Sequence, residues 1–456
     1  MLATFQALKA AIEANELSDF LIETVDAYIG SDKYKNMLDA YEVYCGRNPF
    51  AEERMSKIML DTGRNIEFKP AVYKKNNFFA RIVDRLINRL QYNPVQFDAK
   101  EHMGDGFDSV LKRASIFAAM HGESYIFWNH DHIEHFVAAD KGRGYIPLVD
   151  ERTGAHKAGV RFWRLGDDDS KPMYIQLYEM DGMTEWVEIE GELKPSPENP
   201  AKTPYQRVIT QSGVGIHAVQ GMNYPDFPVV PLYVNHRHES ELTEPVRTGI
   251  NLHDAVSTSF ADSFLKSHPL YWLFSGTSMN ADELLALKQN IDATGIIADS
   301  LGNATIDAKA VSLPYEAWER LLDQLERSVF IDAQIVNLNT LISGGVTATA
   351  IRAAMDDEDA KVRGMEEQVR TFIQRLCAIA GHKAGEIMLI HRAPLNELEI
   401  MQMLKHAHDM GVPTEALIPL MPMLQGRVEE TMALFEQHGL GFFEEPAEPL
   451  GDGQTD

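Results

Sequence analysis

Apolar side chains recur three and four residues apart through the first part of the chain, which predicts helices. Leu17, Phe20, Leu21, Thr24 and Val25 mark one, closed by Gly30. Phe78, Ile82, Leu86 and Leu90 form the apolar face of a second, with Arg81, Arg85 and Arg89 on a neighbouring face and Pro94 beyond its end. A third, over 104–121, carries Phe107, Val110, Leu111, Ala114 and Phe117. After Gly122 the pattern shortens to strands at 125–128, 145–148, 160–165, 174–180, 184–189 and 229–234. Turn-forming residues separate them at 141–144, 150–154 and Asp181-Gly182.

The helical period then returns. Residues 241–267 predict a rod of roughly 40 Å, and 315–338 a second, shorter one. The second carries a stripe of Trp318, Leu321, Leu325, Val329, Ala333 and Val336. Between the rods, the pattern predicts a strand at 270–274, a helix at 282–291 capped by Asn280, and a hairpin joining 295–299 to 304–311. A short break, 340–346, opens into the longest predicted helix, 347–380, whose apolar face is Val362, Met365, Val369, Phe372, Leu376 and Ile379. Residues 393–439 read as short helices punctuated by Pro394, Pro413, Pro419 and Pro422. Residues 444–456 carry five acids and no base, the composition of a disordered tail.

Composition narrows the function. At about 150 residues per domain, a chain of 456 residues predicts roughly three domains. Its 42 Lys+Arg against 68 Asp+Glu give a net charge of −26, which excludes general nucleic-acid binding through a basic surface. Two cysteines, Cys45 and Cys377, make no disulfide framework. No apolar run approaches the ~18–20 residues of a membrane span, and the first residues lack a secretory pattern, so a soluble, unexported protein is expected.

Catalytic signatures are missing: no phosphate-binding Gly-rich loop, no Gly-x-Ser-x-Gly, no His-Glu-x-x-His and no paired Cys-x-x-Cys. The enzyme-like exception is Asn129–His135. On a strand, His130, His132 and Glu134 would share one face and could ligate a divalent metal, as in a metal-dependent hydrolase, with His236 or His238 as a distant ligand. A water-facing polar turn is the simpler reading. Segment 47–92 opposes the global charge, with ten Lys+Arg against five Asp+Glu, and Arg81, Arg85 and Arg89 could touch nucleic acid. A solvated helix face or an inter-subunit salt-bridge surface is the expectation for that triplet. The run Asp356–Asp359 reads as a solvated helix start. Glu319, Asp323 and Glu326 share a helix face, either solvated or the acidic wall of a channel.

The order of these pieces resembles the portal proteins of tailed bacteriophages over essentially the whole chain. The resemblance rests on Tyr44-Cys45-Gly46-Arg47-Asn48-Pro49-Phe50, on Asn76-Asn77-Phe78 through Asp84 continuing to Asn93-Pro94-Val95-Gln96-Phe97, and on the strands at 146–150 and 160–163. Further along it rests on Phe227–Leu232 followed by Glu239–Leu242, on Ser343-Gly344-Gly345-Val346 before a long helix, and on Gly411–Glu415 with Pro422 and Glu429-Glu430. It implies an α+β portal fold: a wing over 1–240, an outgoing stem helix over 241–267, a small αβ clip over 268–314 and a return stem helix over 315–339. A tunnel loop over 340–347, a long wing helix over 348–381, a helical crown over 382–443 and the acidic tail over 444–456 would follow. It also implies a non-enzymatic dodecameric ring without cofactors at one capsid vertex of the virion, assembled in the host cytoplasm. Double-stranded DNA would be packaged and ejected through the ring's channel. The packaging motor (terminase) and later the head-completion or adaptor proteins would dock at the clip, with capsid and scaffold proteins around the ring. On this carry-over Thr340, Leu341, Ile342, Ser343, Gly344, Gly345, Val346 and Thr347 lie closest to DNA. Glu319, Asp323 and Glu326 would line the channel, and Trp318, Leu321, Leu325 and Val329 would pack the stem.

Overall fold

Alternation of apolar and polar residues between Tyr145 and Ile189 builds the central element, a six-stranded antiparallel sheet in the order β10-β9-β8-β7-β6-β5. Its strands are β5 (Ala139–Asp140), β6 (Arg143–Val149), β7 (His156–Arg164), β8 (Met173–Glu179), β9 (Gly182–Ile189) and β10 (Glu192–Pro195). The computed structural model describes residues 3–49, 57–59, 65–67, 70, 72–164, 171–189, 191–199, 201–212, 215–265, 270–275, 305–310, 315–337, 348–389, 397–413 and 417. The chain divides into two units: Met1–Tyr41, Arg81–Glu241 and Gln334–Asp456 form one, and Glu42–Ala80 with Leu242–Ala333 the other.

In the first unit, helices α1 (Phe5–Ala14) and α2 (Leu17–Gly30) lay Leu8, Leu21, Val25 and Tyr28 onto the sheet residues Ile146, Leu148, Val160, Phe162, Ile175 and Leu177. Thr4 caps α1, its hydroxyl accepting from the Ala7 N–H at 3.3 Å, and Asn15 ends it in the left-handed conformation. The Tyr28 hydroxyl donates to the Ala138 carbonyl at 3.0 Å, so the ring is buried without an orphaned polar tip. Close packing leaves no choice at Gly159: a Cβ there would lie 1.8 Å from the Tyr145 hydroxyl, which itself meets His156 Nε2 at 3.0 Å. A smaller sheet, β13-β3-β4, pairs Val229–Leu232 with Ser124–Asn129 and that strand with His132–Phe136.

The expected strands are present. The periodicity gave no sign of the pair β11 (Gln206–Ser212) and β12 (Gly215–Met222). The longest helix, Ala348–Ile379, has 32 residues, about 48 Å at 1.5 Å each. Its face of Val362, Met365, Val369, Phe372, Leu376 and Ile379 is buried throughout, as the three-and-four spacing requires.

Two charged motifs depart from expectation, and they do so together. Glu358 is not solvated: it is 1% exposed. Of the arginine triplet, Arg81 is exposed as expected, whereas Arg85 and Arg89 are taken up largely within the chain. Arg85 Nε and Arg89 Nη1 each donate to Glu358 Oε1 at 2.9 Å, and Arg89 also pairs with Asp359. The other Glu358 oxygen accepts from the Val336 N–H at 3.0 Å, and Arg85 Nη1 donates to the Val336 carbonyl at 2.7 Å. Desolvation of a carboxylate is tolerable only with such complete partnering. Asp356 and Asp357, the two residues before Glu358 on the helix, are exposed as expected.

In the second unit, the helices Glu244–Leu265 and Tyr315–Asp332 run antiparallel. Phe260 packs edge-on against Trp318 at 5.0 Å and Tyr315 at 5.9 Å. At the other end Gly249 admits Val329, whose Cγ2 would lie 2.7 Å from any added Cβ. Both helices are slightly shorter than expected. Gln334 takes the left-handed conformation (φ 56°) directly after the second, so Ala333 and Val336 fall outside its helical stripe. Buried Asp254 accepts from Asn48 Nδ2 at 3.0 Å, from the Asn76 N–H at 3.0 Å and from Asn76 Nδ2 at 2.5 Å. A ribbon pairs Leu270–Ser275 with Thr305–Ala310. The expected hairpin partner at 295–299 and the expected helix at 282–291 lie outside the described residues.

Two predictions follow from this packing. Removing Glu358 leaves two guanidinium groups without their carboxylate, so Glu358→Ala should cost about 3–5 kcal/mol, whereas Asp357→Ala should stay within about 0.5 kcal/mol; urea unfolding monitored by circular dichroism measures both. Separately, burial pushes the imidazoles of His121, His135 and His156 down to about 3. The unfolded chain takes up a proton at each near pH 6.5, so stability falls as pH drops from about 6.5 toward 3. For His121 the loss at pH 5 is about 2 kcal/mol, or 1.5 pH units at 1.36 kcal/mol each. His121→Leu should flatten the fall in melting temperature between pH 7 and pH 5.

Candidate functional site

The helix pair is the element most exposed to a functional partner, because packing accounts for only part of its surface. Val329 is buried between the helices, and Trp318 and Leu325 are half-buried. Leu321 is exposed, so the expected stripe of Trp318, Leu321, Leu325 and Val329 is not packed as one face within a single chain. Leu252, Phe264 and Ile331 add further exposed apolar side chains on the same two helices.

Glu319, Asp323 and Glu326 follow one another at four- and three-residue steps on the returning helix. Glu319 and Asp323 are exposed and Glu326 is half-buried. This makes a short acidic ridge, with Glu316 and Arg320 a turn away, 3.8 Å apart. Such a ridge repels a polyanion and does not bind one.

The segment after the returning helix is tethered before it leaves the described residues. Val336 is held through both backbone groups by Arg85 and Glu358. Thr340, Leu341, Ile342, Ser343, Gly344, Gly345, Val346 and Thr347 lie outside the described residues, and the long helix resumes at Ala348. No sequence signal pointed to this tether. The partners are separated by up to 273 positions, and each charged motif by itself has the look of a solvated surface.

The histidine-rich segment does not assemble the expected ligand set. His130 occupies the turn between two strands with φ 58°, so it is not on the strand that carries His132 and Glu134. A left-handed residue here closes the hairpin, and the His130 N–H is taken by the Tyr224 hydroxyl at 2.7 Å. His132 Nδ1 meets Asp131 at 2.7 Å, and Glu134 accepts from Asn129 Nδ2 at 2.6 Å. The hydrogen bond from His132 holds the Asp131 carboxyl below its ordinary value. His236 instead meets Gln368 Nε2 at 3.0 Å, and His238 stacks on Tyr233 with ring centroids 3.6 Å apart. Among the described residues, no group of three or more His, Cys, Asp or Glu side chains is placed to hold a metal ion. The metal-hydrolase alternative is therefore not supported.

Among the described residues, no helix is long and apolar enough to cross a membrane. A search of curated proteins gives no match. The family model for phage portal proteins of the SPP1 Gp6-like type matches residues 26–438. That span contains the mixed helices and antiparallel sheets, the paired helices and the long helix that follows them, and on this match the chain belongs to the phage portal protein family, SPP1 Gp6-like.

Proposed function

We propose that this chain forms a closed ring, a dodecamer, at one vertex of a phage capsid. DNA enters through the ring's channel during packaging and leaves through it at ejection. The observation that carries this reading is the family match over 26–438. The ring is a conduit and a docking platform, and the work of packaging belongs to a separate motor.

The helix pair serves as the stem in this reading. Phe264 and Ile331 are 65% and 72% exposed, and Leu252 is 48% exposed. Burying an apolar side chain of this size is worth about 1.5–3 kcal/mol, which favours packing against a neighbouring copy. Glu319, Asp323 and Glu326 supply negative charge toward the channel. DNA affinity comes mainly from cations on phosphates, so an acidic wall shortens the time a duplex stays bound and lets it slide.

Residues 268–314, which include the ribbon Leu270–Ser275 with Thr305–Ala310, act as the clip that docks the terminase motor and later the head-completion proteins. Residues 340–347 act as the tunnel loop. This segment holds no Lys or Arg, so it touches DNA through Leu341 and Ile342 and through backbone freedom at Gly344 and Gly345. The wing over 1–240, the long helix and the crown over 382–443 meet the capsid and scaffold proteins.

The test is electron microscopy of the purified full-length protein together with its sedimentation mass. A ring with an axial hole is expected, and a compact monomer overturns the proposal. The double variant Phe264→Asp with Ile331→Asp should keep the parent's secondary structure by circular dichroism yet lose ring assembly, because both side chains face water within one chain. A second experiment replaces Gly344 with Val and Gly345 with Pro. Rings should still form, while packaged DNA length or retention falls at least severalfold; normal packaging and retention would make 340–347 a plain connector.

A further inference from the structure

Helix Phe107–His121 and the six-stranded sheet enclose a cavity of about 480 Å³ whose wall holds four arginines, Arg113, Arg143, Arg161 and Arg164. In a chain of net charge −26 this concentration of cations needs a reason. Two of the four are neutralised. Arg143 Nε lies 3.3 Å from Asp140 Oδ2, and Arg164 Nη1 lies 3.3 Å from Glu188 Oε2. Arg113 and Arg161 pair with no carboxylate among the described residues.

Of these two, Arg161 is held in place by the surrounding rings. The Arg161 guanidinium lies 4.2 Å from the Phe136 ring centroid and 5.3 Å from that of Trp163, and Trp163 is itself stacked on Tyr174. Arg113 extends from an exposed position on its helix, one turn before Phe117, which stacks on Tyr41. The Arg161 side chain also hydrogen-bonds Tyr178, and of the five N–H donors of a guanidinium this leaves others for a planar oxyanion. His135, also in the wall, donates or accepts one hydrogen bond with Ser124 at 2.7 Å. Burial, and then the charge of Arg113, keep it neutral, so the positive field there comes from the arginines.

Paired guanidinium forks in a partly enclosed wall match carboxylate or phosphate oxygens. A cavity of this volume takes a few side chains, not a duplex. The chain's net charge of −26 also repels long polyanions. We propose that this cleft binds a carboxylate-rich peptide, and that its occupant is the chain's own acidic segment, residues 444–456. That segment lies outside the described residues, carries five acids and no base, and so complements the two unpaired arginines. The proposal stands on the cleft and the charge pattern, independently of the ring.

The test uses the full chain with its segment neutralised by E444Q, E445Q, E448Q, D452N and D456N. A fluorescent peptide with the native 444–456 sequence is titrated against it at low ionic strength and followed by anisotropy. Saturable binding is expected, weakened at least severalfold by 0.3 M salt. The chain with its native segment should bind the peptide several times more weakly, because it competes with itself. In the neutralised chain, Arg113→Glu should weaken binding at least tenfold; Arg113 is exposed, so this variant keeps its fold, as thermal unfolding will check. Arg161→Ala should act in the same direction. Absence of saturable binding, or binding indifferent to Arg113→Glu, overturns the proposal. Displacement of the peptide by an equal concentration of inorganic phosphate, or by a short DNA duplex at lower concentration, overturns the choice of a carboxylate peptide as occupant.

Discussion

One carboxylate fixes the register of the largest helix. Glu358 has no access to water, so its charge must be met entirely by protein groups. Arg85 and Arg89 meet one oxygen, and the backbone of Val336 meets the other. Sliding the long helix by one residue would rotate Glu358 by about 100° and leave two arginines facing apolar surface. The apolar stripe Val362–Ile379 does not specify position so sharply, since neighbouring knobs of similar size tolerate small shifts. A buried ion cluster of this kind contributes little net stability, and its effect is to exclude alternatives.

The same cluster governs the segment that the proposed function places next to DNA. Val336 stands at one end of 338–347, and the helix that begins at Ala348 carries Glu358 about 15 Å further on. Both flanks of the segment are therefore referred to one ion cluster. Whatever conformations Gly344 and Gly345 allow, the anchor points are set.

What the sequence disclosed divides along a physical line. Elements with a repeating burial pattern were legible: the helix face Val362–Ile379, the strands of the central sheet and the face Ile82, Leu86 and Leu90 all follow from a period. Contacts that join distant positions were not. Glu358 sits in a run of acids and Arg85 in a helical stripe of arginines, and such patterns are solvated more often than not, so local reasoning assigned Glu358 to water and Arg85 to a solvated face or an inter-subunit salt bridge. His130 defeated the strand reading because a hairpin turn there needs a left-handed residue, which alternation cannot foresee. Gln334 ended the returning helix early for the same reason. Of the candidate site, the acidic ridge Glu319, Asp323 and Glu326 and the helix pair were legible from spacing, while the family emerged from the order of the pieces and not from any one motif.

The disposition of the arginines bears on how the proposed ring would handle DNA. Arg85 and Arg89 are consumed by Glu358, Arg164 lies against Glu188, and Arg370 is held by Glu366. A guanidinium already paired with a carboxylate has less to offer a phosphate. Each contact displaces a condensed counterion and adds about one unit to the salt dependence of binding, so internal pairing lowers affinity without changing composition. The acids outnumber the bases by 26, and the excess remains for the surface. If the chain lines a channel as proposed above, such pairing would leave a passing duplex fewer strong contacts and lower the barriers to its movement.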